Sequence, residues 1–257
     1  MNLPPWLVSS LRDPQTKEQL TTSENGFLSP TGKKYVFVNG ILSIAHPETL
    51  EGSDELMNSR YRWLAPFYDI NERVLGRLIT GEDMNKGRAE IVDRLRLKSG
   101  IKLLEVSPGP GVFQRLLRKS IGPSGELVSL DLSLPMLHQC RKIERETRAY
   151  LIHANGEHLP FADETFDTIF HFGGVNLFNE PQKAVAEFVR VVKRRGIVAY
   201  GDEGFAKGYP DGWRKRILSR MNPGFIKTRP AIPDGLSEVV EHTVYGGLGY
   251  LVVGTRK

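Results

Sequence analysis

The chain has 257 residues, 40% of them hydrophobic, and a formal net charge of +5, which suits one large domain or one domain with a small appendage. No stretch nears the ~20 apolar residues that cross a bilayer, and Met1-Asn2-Leu3-Pro4-Pro5-Trp6 has neither the basic nor the apolar region of a signal peptide, which predicts a cytoplasmic location. The single cysteine, Cys140, excludes an intrachain disulfide and a thiolate zinc cluster.

Residues 1–46 form the first predicted unit, small and rich in strands. Leu11–Leu20 is followed by Phe27-Leu28-Ser29-Pro30-Thr31-Gly32, and Lys34–Ile44 reads as strand, turn and strand about Asn39-Gly40. This pattern resembles the short zinc-ribbon-like segments that stand ahead of some methyltransferase domains, which carry C-P-x-C, a second Cys pair and a Y-P-V-x-x-G-I-P-like ending. Here Asp13 and Thr16 stand at the first pair and Thr31 precedes Gly32, leaving His46 as the lone candidate ligand. A structural zinc takes four N or S ligands, so the expectation is a metal-free unit. So small a piece needs packing against a larger body, and it serves either to cover a substrate pocket or as structure alone.

Residues 47–257 form the second predicted unit. Pro47–Ser53 reads as a linker, and Val74, Leu75, Leu78 and Ile79 recur at helical spacing. Tyr68-Asp69-Ile70-Asn71 resembles the Y-D-x-x-N segment at the front of quinone-biosynthesis C-methyltransferases, in which the tyrosine lies close to the cofactor. The alternative is that Trp63, Phe67 and Tyr68 only seal helices onto a sheet. A helix follows from Met84 to Leu97 and stops at Ser99-Gly100.

Leu103-Leu104-Glu105-Val106 is a short apolar strand ending near a carboxylate. It breaks into Ser107-Pro108-Gly109-Pro110-Gly111 and resumes as a helix from Val112. That is the strand–turn–helix opening of a nucleotide-binding α/β unit, in which glycines admit close backbone approach and a helix N-terminus offers free N–H groups. Leu127–Leu130 is a second strand, and it ends in Asp131, suited to the two hydroxyls of a ribose. A dinucleotide fingerprint would place a third glycine where Gln114 stands.

These residues resemble the class I S-adenosylmethionine-dependent methyltransferases, whose first motif is an acidic residue followed by G-x-G-x-G; Ser107 replaces the first glycine. Three further stretches carry the likeness. Ala154-Asn155-Gly156-Glu157-His158-Leu159-Pro160-Phe161-Ala162-Asp163 resembles G-D-A-E-x-L-P-F-x-D, with Asn155 at the acidic position, Arg190–Gly196 resembles the R-V-L-K-P-G-G turn, and Gly249–Lys257 looks like the final strand. The resemblance implies a Rossmann-like seven-stranded sheet, mostly parallel, whose last strands (about Val239–Tyr245 and Leu248–Gly254) form an antiparallel hairpin about Gly246-Gly247.

It also implies S-adenosylmethionine as cofactor. Glu105 would face the methionine amine, and Ser107, Pro108, Gly109 and Gly111 would supply close backbone approach. Asp131 with Leu132 would meet the ribose, Met136 would pack on the adenine, and Asn155, Gly156 and Glu157 would read the adenine edge. Phe172 and Gly173 would face the sulfonium, and Tyr68 completes the set.

The acceptor is less legible. His171 is the most tempting base, though a lone strand histidine is more often structural. Asn176, Glu180, Asp202 and Glu203 follow strand ends, and His153 and His158 read as surface or packing residues. Gly204–Pro233 interleaves Phe205, Tyr209, Trp213 and Phe225 with basic residues, which suits an apolar acceptor pocket or a basic helix, Trp213–Met221, with its charges in water. Lys193-Arg194-Arg195 and Arg214-Lys215-Arg216 read first as solvated charges and second as a patch for RNA or an anionic membrane. The function expected is therefore methyl transfer to a small-molecule acceptor, quinone-like or otherwise apolar. The alternatives are an RNA base methyltransferase and a non-catalytic cofactor-binding partner protein; a nicotinamide oxidoreductase is disfavoured by Gln114.

Overall fold

The computed structural model describes residues 3–45, 83–221, 223–226 and 229–257. The Pro47–Ser53 linker, the helical spacing at Val74–Ile79 and the aromatic group Trp63, Phe67 and Tyr68 lie outside the described residues.

The core is the sheet that alternating apolar strands and amphipathic helices demand. Strand β5 (Lys102–Val106) is central, flanked by β6 (Glu126–Asp131) and β8 (Phe166–Phe172), with β7 (Ala149–His153) beyond β6 and β9 (Val192–Glu203) beyond β8; all five run parallel. The hairpin of β10 (Leu236–Val244) and β11 (Gly249–Arg256) closes the far edge, β11 pairing antiparallel with β9. These are the seven strands and the terminal hairpin predicted.

Side chains alternate across the strands. Leu104, Val106, Val128 and Leu130 face one apolar layer with Phe188, whereas Leu103, Leu127 and Phe170 face the other with Leu117 and Leu137. The first layer is roofed by α1 (Pro5–Ser10) and α6 (Pro181–Val191). The second is roofed by α2 (Met84–Arg94), α3 (Gln114–Ile121) and α4 (Leu134–Lys142), with the single turn α5 (Glu144–Thr147) after it.

Among the boundaries that differ from expectation, two matter most for the fold. Arg190–Gly196 is not a free turn: β9 begins at Val192 and runs through it, while Arg195 takes φ 63° and a register shift absorbs the irregularity. The helix at Met84 ends at Arg94 rather than Leu97, with Leu95 as its C-cap.

The front segment joins the same sheet. Antiparallel strands β1 (Thr21–Ser23), β2 (Gly26–Leu28), β3 (Lys34–Val38) and β4 (Ile41–Ser43) follow in order, and β4 then pairs in parallel with β7 through Leu42 and Ser43. An isolated bridge between Leu11 and Phe161 adds a second seam, and Leu7 and Leu11 are fully buried in the layer that holds Phe161 and Phe166. A salt bridge from Lys17 to Glu187 at 2.8 Å closes it, and the same ammonium donates to Leu159 O.

Candidate functional site

The parallel strands end on one side of the sheet, where open α/β sheets bind ligands. The bend after β5 is left-handed at Ser107, Gly109 and Gly111, with φ of 54°, 57° and 87°. The two glycines have different reasons to be glycine. A Cβ on Gly109 would meet nothing within 4 Å among the described residues, so that side of the bend is open to them. A Cβ on Gly111 would stand 3.0 Å from Gln114 Oε1 and from Ile143 Cδ1, so there the backbone must pack tightly. Ser107 holds the third left-handed position at a cost of about 1 kcal/mol, anchored by its N–H donating to Leu130 O at 2.7 Å.

Glu105 is 1% exposed, in register with Ser129 on β6. Its Oε2 accepts from Ser129 Oγ at 2.8 Å, and that hydroxyl receives Gln114 Nε2 at 2.9 Å. Its Oε1 has no donor among the described residues. Burial raises this carboxyl to about 7, the Ser129 and Gln114 contacts offset part of the rise, and the Asp131 charge adds to it. Gln114, which the sequence presents only as a missing glycine, is thus a relay in the carboxylate's support.

Asp131 lies at the tip of the adjacent strand. Its Oδ2 accepts from Gly109 N–H at 3.1 Å and its Oδ1 from Ser133 N–H at 2.8 Å. Burial raises its carboxyl to about 6 against these backbone bonds. A carboxylate has about four lone-pair sites, so each oxygen keeps capacity for a ligand hydroxyl while bracing the bend. Buried Cys140 supports the same bend, its Sγ donating to Gly109 O at 3.1 Å; the sequence offered no signal for this. Met136 is buried on α4, and Leu132 O meets His153 Nε2 at 3.0 Å. His153 Nδ1 in turn meets Ser43 Oγ of β4 at 2.9 Å, so this histidine ties the front segment to the bend after β6.

The loop after β7 departs in detail from expectation. Asn155 Oδ1 accepts from Glu157 N–H at 2.9 Å, closing a local turn, so one lone pair rather than a free amide oxygen remains. Gly156 is needed because a Cβ there would press on Phe178 Cζ at 2.9 Å and Val106 Cγ1 at 3.0 Å. Glu157 Oε1 accepts from Glu180 N–H at 3.2 Å and fastens the loop to the start of α6.

After β8, Gly173 has φ 86°, and among the described residues nothing lies within 4 Å of its Cβ position. Phe172 is half-buried, its ring 5.6 Å from Tyr245 in an edge arrangement. Asp202 is taken up structurally, its carboxylate accepting from the N–H groups of Gly174, Asn176 and Glu203 at 2.8–2.9 Å.

His171 points the other way along β8 from Phe172. It is fully buried, with Nδ1 3.0 Å from Val106 O, and stacks between Phe178 and Phe188. Burial lowers its pKa to about 4, with the Val106 bond opposing. It packs the core and is withdrawn from the site. His158 lies 2.9 Å from Lys183 Nζ. Tyr68 lies outside the described residues. Among the described residues no group of three or more His, Cys, Asp or Glu gathers to hold a metal ion, and no helix is long and apolar enough to cross a membrane.

Among the described residues the strand tips together offer an unpartnered carboxylate oxygen, a second carboxylate with spare acceptor capacity, and two bends open at glycine. Such a set can hold a ligand bearing a cationic group at one end and vicinal hydroxyls nearby.

Several known proteins resemble this chain. A methyltransferase-domain family model matches residues 104–200. The demethylmenaquinone methyltransferase of Listeria welshimeri is 28% identical over 152 residues, 58% of this chain and 63% of that protein, so the match spans less than two thirds of that relative's length. The demethylmenaquinone methyltransferase of Lactobacillus johnsonii is 29% identical over 223 residues, 76% of this chain and 90% of that protein. The crystal structure of a SAM dependent methyltransferase from Aquifex aeolicus superposes with a TM-score of 0.52 at 19% identity, covering 78% of this chain and 98% of that one.

Proposed function

We propose, from the premise that this chain belongs to the class I S-adenosylmethionine-dependent methyltransferases, that it is a cytoplasmic enzyme methylating a small, apolar, quinone-like acceptor. The observation that carries the reading is Glu105, a buried carboxylate with one oxygen lacking any donor among the described residues, beside a bend left open at Gly109. A buried carboxylate without a partner is costly; a cationic amine seated against it removes that cost. S-adenosylmethionine supplies a methyl group already activated by its sulfonium, so transfer asks mainly for alignment and exclusion of water.

In this reading Glu105 holds the amine, while Ser107, Pro108, Gly109 and Gly111 admit the ligand against the backbone. Asp131 and Leu132 take the ribose side, and Met136 flanks the adenine. Asn155, through its remaining lone pair, with Gly156 and Glu157 meets the adenine edge. Phe172 and Gly173 border the methyl, and Tyr68 belongs to the same set. Residues 47–257 form the working domain and residues 1–46 a metal-free brace. The fixed positions of Glu157, Asp202 and His153 serve this arrangement by holding the loops rather than by moving protons. A quinone-like acceptor is favoured by the likeness to the two demethylmenaquinone methyltransferases.

Calorimetry with S-adenosylmethionine and with its demethylated product tests the cofactor site: saturable binding is expected, and no binding at high micromolar concentration overturns the reading. Transfer of a labelled methyl group to a demethylated quinone tests the acceptor, and transfer to RNA instead would replace it.

A further inference from the structure

Helix α7 (Trp213–Met221) lies in the segment that follows β9, on the same end of the sheet as Glu105, Asp131 and Gly173. It has two distinct faces. Leu218 is 7% exposed, and Lys215 holds its ammonium 5.5 Å above the ring of Phe205, which stacks 5.0 Å from Tyr209 and 4.9 Å from Phe225. Lys215 also pairs with Asp211 at 2.6 Å, one turn away. That face is anchored to the protein.

The opposite face is more exposed, with the Arg214 guanidinium 5.4 Å from the Trp213 ring centroid. Trp213 is 65% exposed and Ile217, one turn on, is 41% exposed. At 100° per residue these two form a stripe that Arg220 extends, with Arg214 and Arg216 flanking it on either side, all three arginines exposed. The helix contains no acidic residue, and the turn after it adds Ile226, 68% exposed. An apolar stripe edged by cations asks for a surface that is apolar and anionic at once. Single-stranded RNA would use Trp213 for stacking, but the aliphatic Ile217 and Ile226 give a base no π-face. A lipid interface accepts all of them: acyl chains for the apolar stripe, anionic headgroups for the arginines, and the headgroup boundary for the indole.

We infer that α7 is a docking helix for an anionic lipid surface. Once docked, it brings the ligand-binding end of the sheet to the bilayer, where apolar molecules partition. The inference rests on the surface of α7 alone and stands whether or not the cofactor site is read correctly.

The test is sedimentation of the full chain, without cofactor, with vesicles of phosphatidylcholine alone and of phosphatidylcholine with phosphatidylglycerol. Binding is expected to the anionic vesicles and to fall with salt. Neutralising the three exposed arginines (R214Q, R216Q, R220Q) should lower partitioning on the order of a hundredfold, roughly fivefold for each charge. Trp213→Ala with Ile217→Ser should weaken it about tenfold or more and remove quenching of tryptophan fluorescence by brominated acyl chains. Both variants change exposed positions, so their melting temperatures should match the parent; single substitutions serve if either set alters folding. No anionic-vesicle binding, binding indifferent to both sets, or capture of RNA without vesicle binding would each overturn the inference.

Discussion

Asp13 and Glu105 are each 1% exposed, yet the protein treats the two buried carboxylates in opposite ways. Asp13 Oδ1 accepts from Gln15 N–H at 2.8 Å and Thr16 N–H at 3.0 Å, and its Oδ2 from Tyr35 Oη at 2.9 Å. Burial alone would raise its pKa, but these bonds, with the charge of Lys33, bring it below the ordinary carboxylate value. Glu105 has the Ser129 hydroxyl as donor with the Gln114 amide close by, an oxygen unmatched among the described residues and a carboxyl pushed up to about 7. A satisfied buried carboxylate holds a fold together, whereas an unsatisfied one is in debt until something cationic arrives. The front segment thus closes its first turn with Asp13, at the position where the zinc-ribbon-like pattern it resembles would carry a cysteine, and the strand tips keep an incomplete site.

The largest effect should come from Glu105→Gln. Removing the charge should weaken S-adenosylmethionine binding by a hundredfold or more, about 3 kcal/mol. It should also raise the melting temperature of the ligand-free protein, because a penalised buried charge is gone. Calorimetry and thermal melts read both, and a parallel fall in affinity and stability would erase the contrast with Asp13.

Asp13→Ala should do the reverse. It strips three donors of their acceptor and leaves Tyr35 Oη buried, so a loss of about 2–3 kcal/mol is expected in denaturant melts. Its cofactor affinity should shift only as far as the front segment loosens β7.

Much of this contrast was hidden in the sequence. Glu105, the Gly109 bend and Asp131 were legible because a strand–turn–helix unit fixes where its carboxylates fall, and the parallel order with its terminal hairpin followed from alternating apolar runs. The pairing of β4 with β7 was not, since nothing local in Leu42 or Ser43 names a partner more than a hundred residues away. Asp13 reads in the sequence only as the residue standing where a cysteine ligand would be, and its role as an acceptor depends on Tyr35 arriving from another strand. His171 was ambiguous because alternation in a strand sets neighbours on opposite faces without saying which face is the core. The Asn155 turn was missed because a side-chain bond to a neighbouring amide leaves no trace in spacing.

The acidities sharpen the comparison further. Glu105 and Asp131 have folded values of about 7 and about 6, above their unfolded ones. Their stabilising contribution is therefore complete below about pH 4 and is lost as pH rises through 6 to 7. Asp13, with its lowered value, contributes stability above the ordinary carboxylate range that is lost as pH falls through its folded value. A cationic ligand inverts the first trend: affinity for S-adenosylmethionine should tighten about tenfold between pH 6 and pH 8 as Glu105 ionises, and Glu105→Gln should flatten that part of the profile. The smallest effect belongs to His171→Phe, which should cost about 1 kcal/mol through the lost Val106 bond and change turnover less than twofold. A large loss of turnover with normal stability would return His171 to the chemistry.

The most direct measurement is proton release on cofactor binding, by calorimetry at pH 6 in buffers of different ionisation enthalpy. With the Glu105 carboxyl near 7, seating the amine against it should expel close to one proton (about 0.9), and Glu105→Gln should expel almost none. Tight binding with no proton released, or release unchanged in Glu105→Gln, would contradict the pairing on which this account depends.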